Sequence, residues 1–455
     1  MAQKQDSISR QGRRREGITR ITVGGFKSIS EEQSIEVRPL TILAGANSSG
    51  KSSIMQPLLL LKQTLEAPYD PGALLLNGPN VKFTSVDQLL ARMSGGEAVN
   101  IFHVGIEVSG KTTITTSLKR NQDKGLEVEE TTYDTDKGKY RLYREMTPEE
   151  FQSAVLAAIE VSSVLIPDLR EIARQLAGGF LDQARGFLVV DLGSGSDENG
   201  LFMGLVTQMP GEVLIKAALR QTIHLPGLRG SPERTYPVTA VGAEFPGTFE
   251  NYVASVIRQW QKEGNNKKLE AVNRDLARLG LTGKVIARAI DDTQVELRVN
   301  RLFRGNKSNT EDMVSVADVG LGISQTLPVV VALHVADEGQ LVYLEQPEIH
   351  LHPRAQVAMA EVLADAAKQG KRLVVETHSS LLLRGIQTLV AEGKLPPELV
   401  KLHWFTLRTD GSTEITSADL DETGAFGDWP EDFDTVTLDT ESRYLDAAQA
   451  RLEEK

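Results

Sequence analysis

Apolar and polar residues alternate with period two from the first ordered-looking stretch of the chain. Ile18, Arg20 and Thr22 face one way and Thr19, Ile21 and Val23 the other, a strand closed by Gly24-Gly25. A second strand is expected near Ser34–Val37, and Pro39 separates it from the apolar run Leu40–Ala44, a third. The period then changes. Ile54, Leu58, Leu61 and Leu65 recur at helical spacing over Ser53–Leu65. Pro68, Pro71, Gly72, Gly78 and Pro79 predict a loop, residues 81–84 a strand, and Ser85 the cap of a helix to Met93. Alternation returns from Asn100 to Arg144, with turns at Gly110-Lys111 and Lys137-Gly138. Thr147-Pro148-Glu149-Glu150 is a helix start, and helical spacing runs to about Leu188 with breaks near Pro167 and Gly178-Gly179. Residues 191–200 read as a polar loop, 211–220 as a helix, 224–247 as irregular and 248–279 as helical. Short strands follow at Lys284–Ile290 and Val295–Val299.

The junction between the third strand and the first helix carries chemistry. Gly45-Ala46-Asn47-Ser48-Ser49-Gly50-Lys51-Ser52-Ser53 reads G-x-x-x-x-G-K-S, the phosphate-binding P-loop, in the strand–loop–helix setting the motif requires. Glycines let the backbone close around phosphates, and backbone N–H groups at a helix N-terminus favour an anion. Residues Asn47 to Ser53 are the expected ATP-binding set, with Lys51 meeting the β- and γ-phosphates and Ser52 offering its hydroxyl to Mg²⁺.

Three further stretches fit that site. Leu341–Glu345 is an apolar strand ending in an acid, the Walker B form, with Glu345 expected to hold Mg²⁺ through water. Gln346, Glu348 and His378 are the candidate catalytic residues. Gln346 can orient water but cannot accept its proton; Glu348, beyond Pro347, can; His378 ends another apolar strand over 372–376. Gly320, Gly322, Ser324 and Gln325 precede an apolar helix to His334, whose Pro328 implies a start close to Ser324. One γ-phosphate does not need two anion-binding loops in one chain, but two chains facing each other do.

P-loop, Gly-Gly-Ser-Gln signature, Walker B and switch histidine, in this order, resemble ABC-type ATPase heads. Phe26-Lys27-Ser28 and the form of the loop are similar to the RecF, SMC and overcoming-lysogenization-defect branch. The Glu345-to-Pro353 run resembles a bacterial AAA group within that branch, and Phe426–Phe433 its small terminal module. The resemblance implies an α/β fold, a P-loop ABC-type head of mixed sheet with an antiparallel β-layer; the 294 residues from Lys51 to Glu345 (345 − 51) and their helical spacing add a large, mainly helical insertion folded out of the core. The parts of the chain would be a basic tail over 1–17, the first part of the head over 18–144, the insertion over 145–305, the second part of the head over 306–410 and an acidic module over 411–455. The resemblance further implies ATP and Mg²⁺ as ligands, a homodimer closed through ATP and a role in defence or DNA repair; Gln346, where most such heads carry a glutamate, departs from the pattern and makes the expected hydrolysis slow. A scaffold with little turnover that holds a separate effector is the alternative; a small-molecule kinase has no use for Ser324. Leu225-Pro226-Gly227-Leu228-Arg229 resembles a segment of the same group, with no role derivable from sequence.

Composition narrows the setting. There are no cysteines, which excludes disulfides and thiol chemistry and fits a reducing, cytoplasmic compartment. No apolar run approaches the ~18 residues of a membrane span. The net charge is −12, with 13 acidic against 3 basic residues from Gly411 onward. The body is close to neutral, and six basic residues before Thr22 leave room for contact with nucleic acid. Only 77 residues follow His378, too few for a Toprim nuclease, so an effector such as a nuclease is expected as a separate chain. Gln88 is expected as ordinary helix surface, His350 and His352 as structural, Asp419 and Asp421 as solvated, and Trp429 as a buried anchor.

Overall fold

A computed structural model describes residues 17–92, 99–123, 125–136, 138–161, 180–191, 206–207, 211–301, 312–427, 442–446, 449 and 451. The tail 1–16, Pro167, Gly178-Gly179, residues 192–200 and Trp429 lie outside them.

Mostly apolar runs make the centre of the main sheet, because a strand covered on both faces has no solvent-facing side. β3 (Leu40–Gly45), β16 (Leu341–Glu345), β17 (Arg372–Glu376) and β18 (Val400–Leu407) lie parallel, with β11 (Ile223–Leu225) parallel at one edge and β19 (Thr413–Ala418) antiparallel at the other. The order is β11-β16-β17-β3-β18-β19. Alternation within each strand splits the core in two. Ile42, Val342, Leu344, Leu373 and Val375 pack into one cluster with α6 (Leu321–Val335), α7 (Pro353–Lys368) and α8 (Ser380–Ala391). Leu43, Leu341, Tyr343 and Val374 face the other, with α1 (Lys51–Glu66) and the second sheet.

That second sheet is the expected antiparallel layer. β1 (Ile18–Gly24), β2 (Gln33–Glu36), β4 (Ile101–Val108), β5 (Thr112–Asn121), β6 (Gly125–Thr135) and β7 (Gly138–Tyr143) run in the order β2-β1-β4-β5-β6-β7. Their period-two pattern buries one face on α1.

The middle of the chain departs from the sequence reading. Helical spacing was expected to Leu188; α2 (Pro148–Val161) is helical, residues 162–179 lie outside the described residues, and β8 (Phe180–Ala184) and β9 (Phe187–Asp191) form a hairpin that β10 (Val206–Thr207) joins. The cause is Arg185-Gly186, whose φ values of 49° and 89° make the tight turn that matches strand twist. A Cβ on Gly186 would stand 2.7 Å from Leu61 Cδ2, so the turn also docks on α1. The stretch expected to be irregular contains β11, and α3 (Glu212–Gln221) contributes Ile215 and Leu219 to the α1 side of the core. The described residues of 145–305 hold strands as well as helices, and Ile215, Leu219, Ile223 and Leu225 lie in the core rather than outside it. The helix expected over 248–279 is two, α4 (Val253–Lys262) and α5 (Asn266–Arg278), parted at Gly264 (φ 66°). They pack on a small sheet of β12 (Tyr236–Pro237), β13 (Val285–Ala289), β14 (Gln294–Asn300) and β15 (Met313–Ser315). Residues 81–84 form no strand, and only Val86–Gln88 turn helically where a helix to Met93 was expected. No helix among the described residues is long and apolar enough to cross a membrane.

Candidate functional site

The strands β3, β16 and β17 end side by side, and the residues just beyond their C-terminal ends make the site, as open parallel sheets dictate. At β3 the loop turns through positive φ at Gly45 (141°), Ser48 (61°) and Gly50 (96°). It is pressed from behind. A Cβ on Gly45 would lie 2.3 Å from Phe405 O, and one on Gly50 2.3 Å from Thr413 Oγ1. Thr413 Oγ1 lies 2.9 Å from Ser49 O and 2.7 Å from Ser28 Oγ, tying β19 and the Phe26-Lys27-Ser28 turn to the loop. Ser49, Gly50 and Ser53 are buried, while Asn47 and Ser48 are exposed at the tip. Lys51 opens α1; its Nζ donates to Gly45 O at 3.0 Å and Ala46 O at 2.6 Å, which holds the ammonium inside the loop. Burial lowers its pKa, and Glu376 opposes that shift.

At the end of β17 stands Glu376, which sequence reasoning passed over. Ser52 Oγ donates to its carboxylate, 2.9 Å from Oε2 and 3.1 Å from Oε1. The signal was there: β17, like β16, is an apolar strand ending in an acid. Burial, then the Glu345 charge, raises the Glu376 pKa. Glu345 itself is held elsewhere. Its carboxylate meets His224 Nε2 at 3.0 Å and the Gly227 N–H at 3.1 Å, and these partners, against burial, leave its pKa lowered. Asn80 Nδ2 lies 3.1 Å from His224 Nδ1 and donates to Gly247 O, so Nδ1 is the acceptor and Nε2–H the donor to Glu345.

Glu348 is 95% buried, at 5% exposure. One oxygen accepts from the Thr377 hydroxyl and the His378 N–H; Oε2 is buried with no partner among the described residues. Burial raises its pKa. Gln346 takes φ 44°, a strained value for a side chain of this kind, and its N–H donates to Glu376 O at 2.8 Å. His378 is half-buried, and burial followed by the Lys51 charge lowers its pKa.

The signature helix starts at Leu321 with Gly320 as its cap, three residues earlier than Pro328 suggested; Pro328 sits inside it. Gly322 lies against His350 O. Ser324 Oγ donates to Leu321 O, and the buried Gln325 amide to Arg229 O and Gly230 O. Arg229 explains the Leu225–Arg229 segment. Buried to 6% exposure, it donates to Gln325 O (3.0 Å), Glu345 O (2.8 Å) and Gln346 O (3.4 Å), joining the signature to the Walker B end. Burial pushes its pKa down to about 10, still charged. Arg229→Ala leaves three carbonyls short of a donor at roughly 1 kcal/mol or more each. A loss of about 3 kcal/mol in unfolding free energy is expected; an unchanged denaturant midpoint rules the bridge out.

The remaining candidates sit apart. Gln88 is exposed and caps its own turn through Thr84. His350 is exposed and His352 caps α7. Asp419 pairs with Lys401 and Arg38, and Asp421 closes a local turn. No group of three or more His, Asp or Glu among the described residues is arranged to hold a metal unaided. Ser52, Glu376 and Glu345 do fit Mg²⁺ arriving with phosphates, since this ion takes one or two carboxylates and completes its shell with water and phosphate.

Residues 236–384 match the family described as "AAA domain, putative AbiEii toxin, Type IV TA system". The match spans the signature, Glu345, Glu348 and His378. No curated protein matches the chain significantly. Among solved structures the chain is similar to the SMC head bound to the C-winged helix domain of ScpA, at 13% identity and TM-score 0.46, over 89% of this chain and 98% of that one. It is also similar to the SMC head domain from Thermotoga maritima, at 13% identity and TM-score 0.41, over 88% and 98%. A third is the Smc head domain from Pyrococcus furiosus with an extended coiled coil, bound to the C-terminal domain of ScpA, at 11% identity and TM-score 0.44, over 89% and 96%.

Proposed function

We propose that this chain, which carries a AAA-type domain on a P-loop ATPase fold, binds ATP with Mg²⁺, closes into a homodimer around it and hydrolyses it slowly. The observation that carries this reading is the convergence of Lys51, Ser52, Glu345, Glu376, Glu348 and His378 at the ends of three adjacent parallel strands. Lys51 and the α1 N-terminus bind the phosphates. Glu348 takes the proton of the attacking water, Gln346 helps orient that water, and neutral His378 meets the γ-phosphate. Bound Mg²⁺ supplies charge neutralisation of the phosphates.

The dimer follows from the signature. Ser324 and Gln325 hydrogen-bond to Leu321, Arg229 and Gly230, none of them in the P-loop. Gly322 and Ser324 of one copy are thus left to meet nucleotide held by Lys51 of the other, twice in a two-fold dimer. Leu228, Leu321 and Ile349 are exposed apolar residues next to the signature and the Walker B end, suited to burial in that contact. The chain works in a cytoplasmic assembly of defence or repair. The matched family's naming of a toxin–antitoxin system supports this, with a separate effector, such as a nuclease, doing any cutting of nucleic acid.

Mixing tests the arrangement. Lys51→Ala and Ser324→Arg are each expected to be inactive, and their mixture to recover phosphate release, because one composite site in the mixed dimer is intact. No recovery under conditions of subunit exchange counts against sites shared between copies.

A further inference from the structure

The hydroxyl that a P-loop offers to a cation must ligate through a lone pair, so its hydrogen needs an acceptor on the other side. Here Glu376 is that acceptor. Ser52 Oγ donates to Glu376, whose carboxylate oxygens lie 2.9 and 3.1 Å away. Glu376 is 6% exposed, and its other hydrogen-bond donor is a second hydroxyl, Tyr343 OH, at 3.0 Å from Oε2. Among the described residues no cation hydrogen-bonds to it: Lys51, whose charge it feels, donates to Gly45 O and Ala46 O.

Across the sheet, Glu376 is in register with Glu345. Neighbouring strands lie ~4.8 Å apart, so the two carboxylates leave the sheet side by side. Glu345 has His224, the Gly227 N–H and the Arg229 charge to offset its own. Glu376 is hydrogen-bonded by neutral hydroxyls and feels the Lys51 charge without a bond to it. Two adjacent carboxylates, one of them bonded only by hydroxyls among the described residues, beside a correctly turned hydroxyl make an all-oxygen face that a hard divalent ion satisfies.

We infer that Glu376 is a cation-site carboxylate of the nucleotide pocket, which orients the Ser52 hydroxyl and contributes charge to the Mg²⁺ beside Glu345. This rests on the reading of the P-loop as an ATP site, and the test separates the two. Binding of a fluorescent ATP analogue is measured in EDTA, then across a Mg²⁺ titration, for wild type, Glu376→Gln and Glu376→Asp. In EDTA, Glu376→Gln is expected to bind the analogue as well as wild type or better, because a negative charge near the phosphates is gone. Its Mg²⁺ midpoint is expected to rise about 10–100-fold. Glu376→Asp keeps the charge on a shorter arm and should fall between. A wild-type Mg²⁺ midpoint in Glu376→Gln overturns the inference. Should Glu376→Gln fail to fold, a wild-type midpoint in Glu376→Asp does the same. If wild-type protein binds no analogue with or without Mg²⁺, it is the ATP site itself that fails.

Discussion

Glu348→Gln is expected to lower kcat for ATP hydrolysis by about 10²–10⁴, the usual cost of losing a general base, while ATP affinity stays near wild type. The reason is the unequal use of its two oxygens. One is fixed by Thr377 and the His378 N–H; the other, Oε2, is buried without a partner. An unpartnered buried carboxylate oxygen is costly to keep, and in the proposed reaction it is the one left to take the proton. Gln346 lacks that capacity, and its strained backbone at φ 44° fixes where its amide can reach. The pH profile carries an independent sign. Burial holds the Glu348 pKa above the ~4.3 of a free glutamate. The base must be ionised, so kcat should fall on the acid side through that raised pKa, and Glu348→Gln should lack the limb. Single-turnover phosphate release measures both. A variant with wild-type turnover removes Glu348 from the mechanism and leaves Gln346 as the residue to test next, by Gln346→Glu.

The parts of this site that lie in continuous sequence were legible. Glycine and lysine spacing set the P-loop, and an apolar run ended by an acid set Glu345, because both patterns arise from local geometry. What was not legible depends on chain segments far apart in sequence. β11 is three residues long, too short for periodicity, and it joins the sheet only because Ile223 and Leu225 find β16. His224 and Arg229 ride on that strand and the loop after it, so their roles appear only once it is placed. The β8–β9 hairpin was hidden for another reason. Its turn, Arg185-Gly186, lacks an Asn or Asp, and its buried Phe187 and Leu188 fit a helical face as well as a strand. Glu376 is different again. It ends an apolar strand as Glu345 does, but the partner that gives it a role, Ser52, lies 324 residues away in sequence.

Lys51→Ala should weaken ATP binding by about 10²-fold or more without unfolding the protein. Hydrogen bonds to a charged group are worth about 1.5–3 kcal/mol each, and each 1.4 kcal/mol is tenfold in affinity. Two phosphate contacts therefore account for the loss. The fold should tolerate the change because α1 is anchored by Ile54, Leu58, Leu61 and Leu65, all in the core, and the loop by Thr413 and Phe405. Removing the ammonium frees only the Gly45 and Ala46 carbonyls, which lie next to the exposed tip and can turn to water. Thermal unfolding distinguishes binding from folding in one experiment. A ligand at 100 times its Kd stabilises the native state by about 2.7 kcal/mol, so wild type should melt measurably higher with ATP than without. The variant should melt near wild type when alone and gain nothing from the same ATP concentration. An equal ATP-induced rise in the variant would place nucleotide binding somewhere other than this loop.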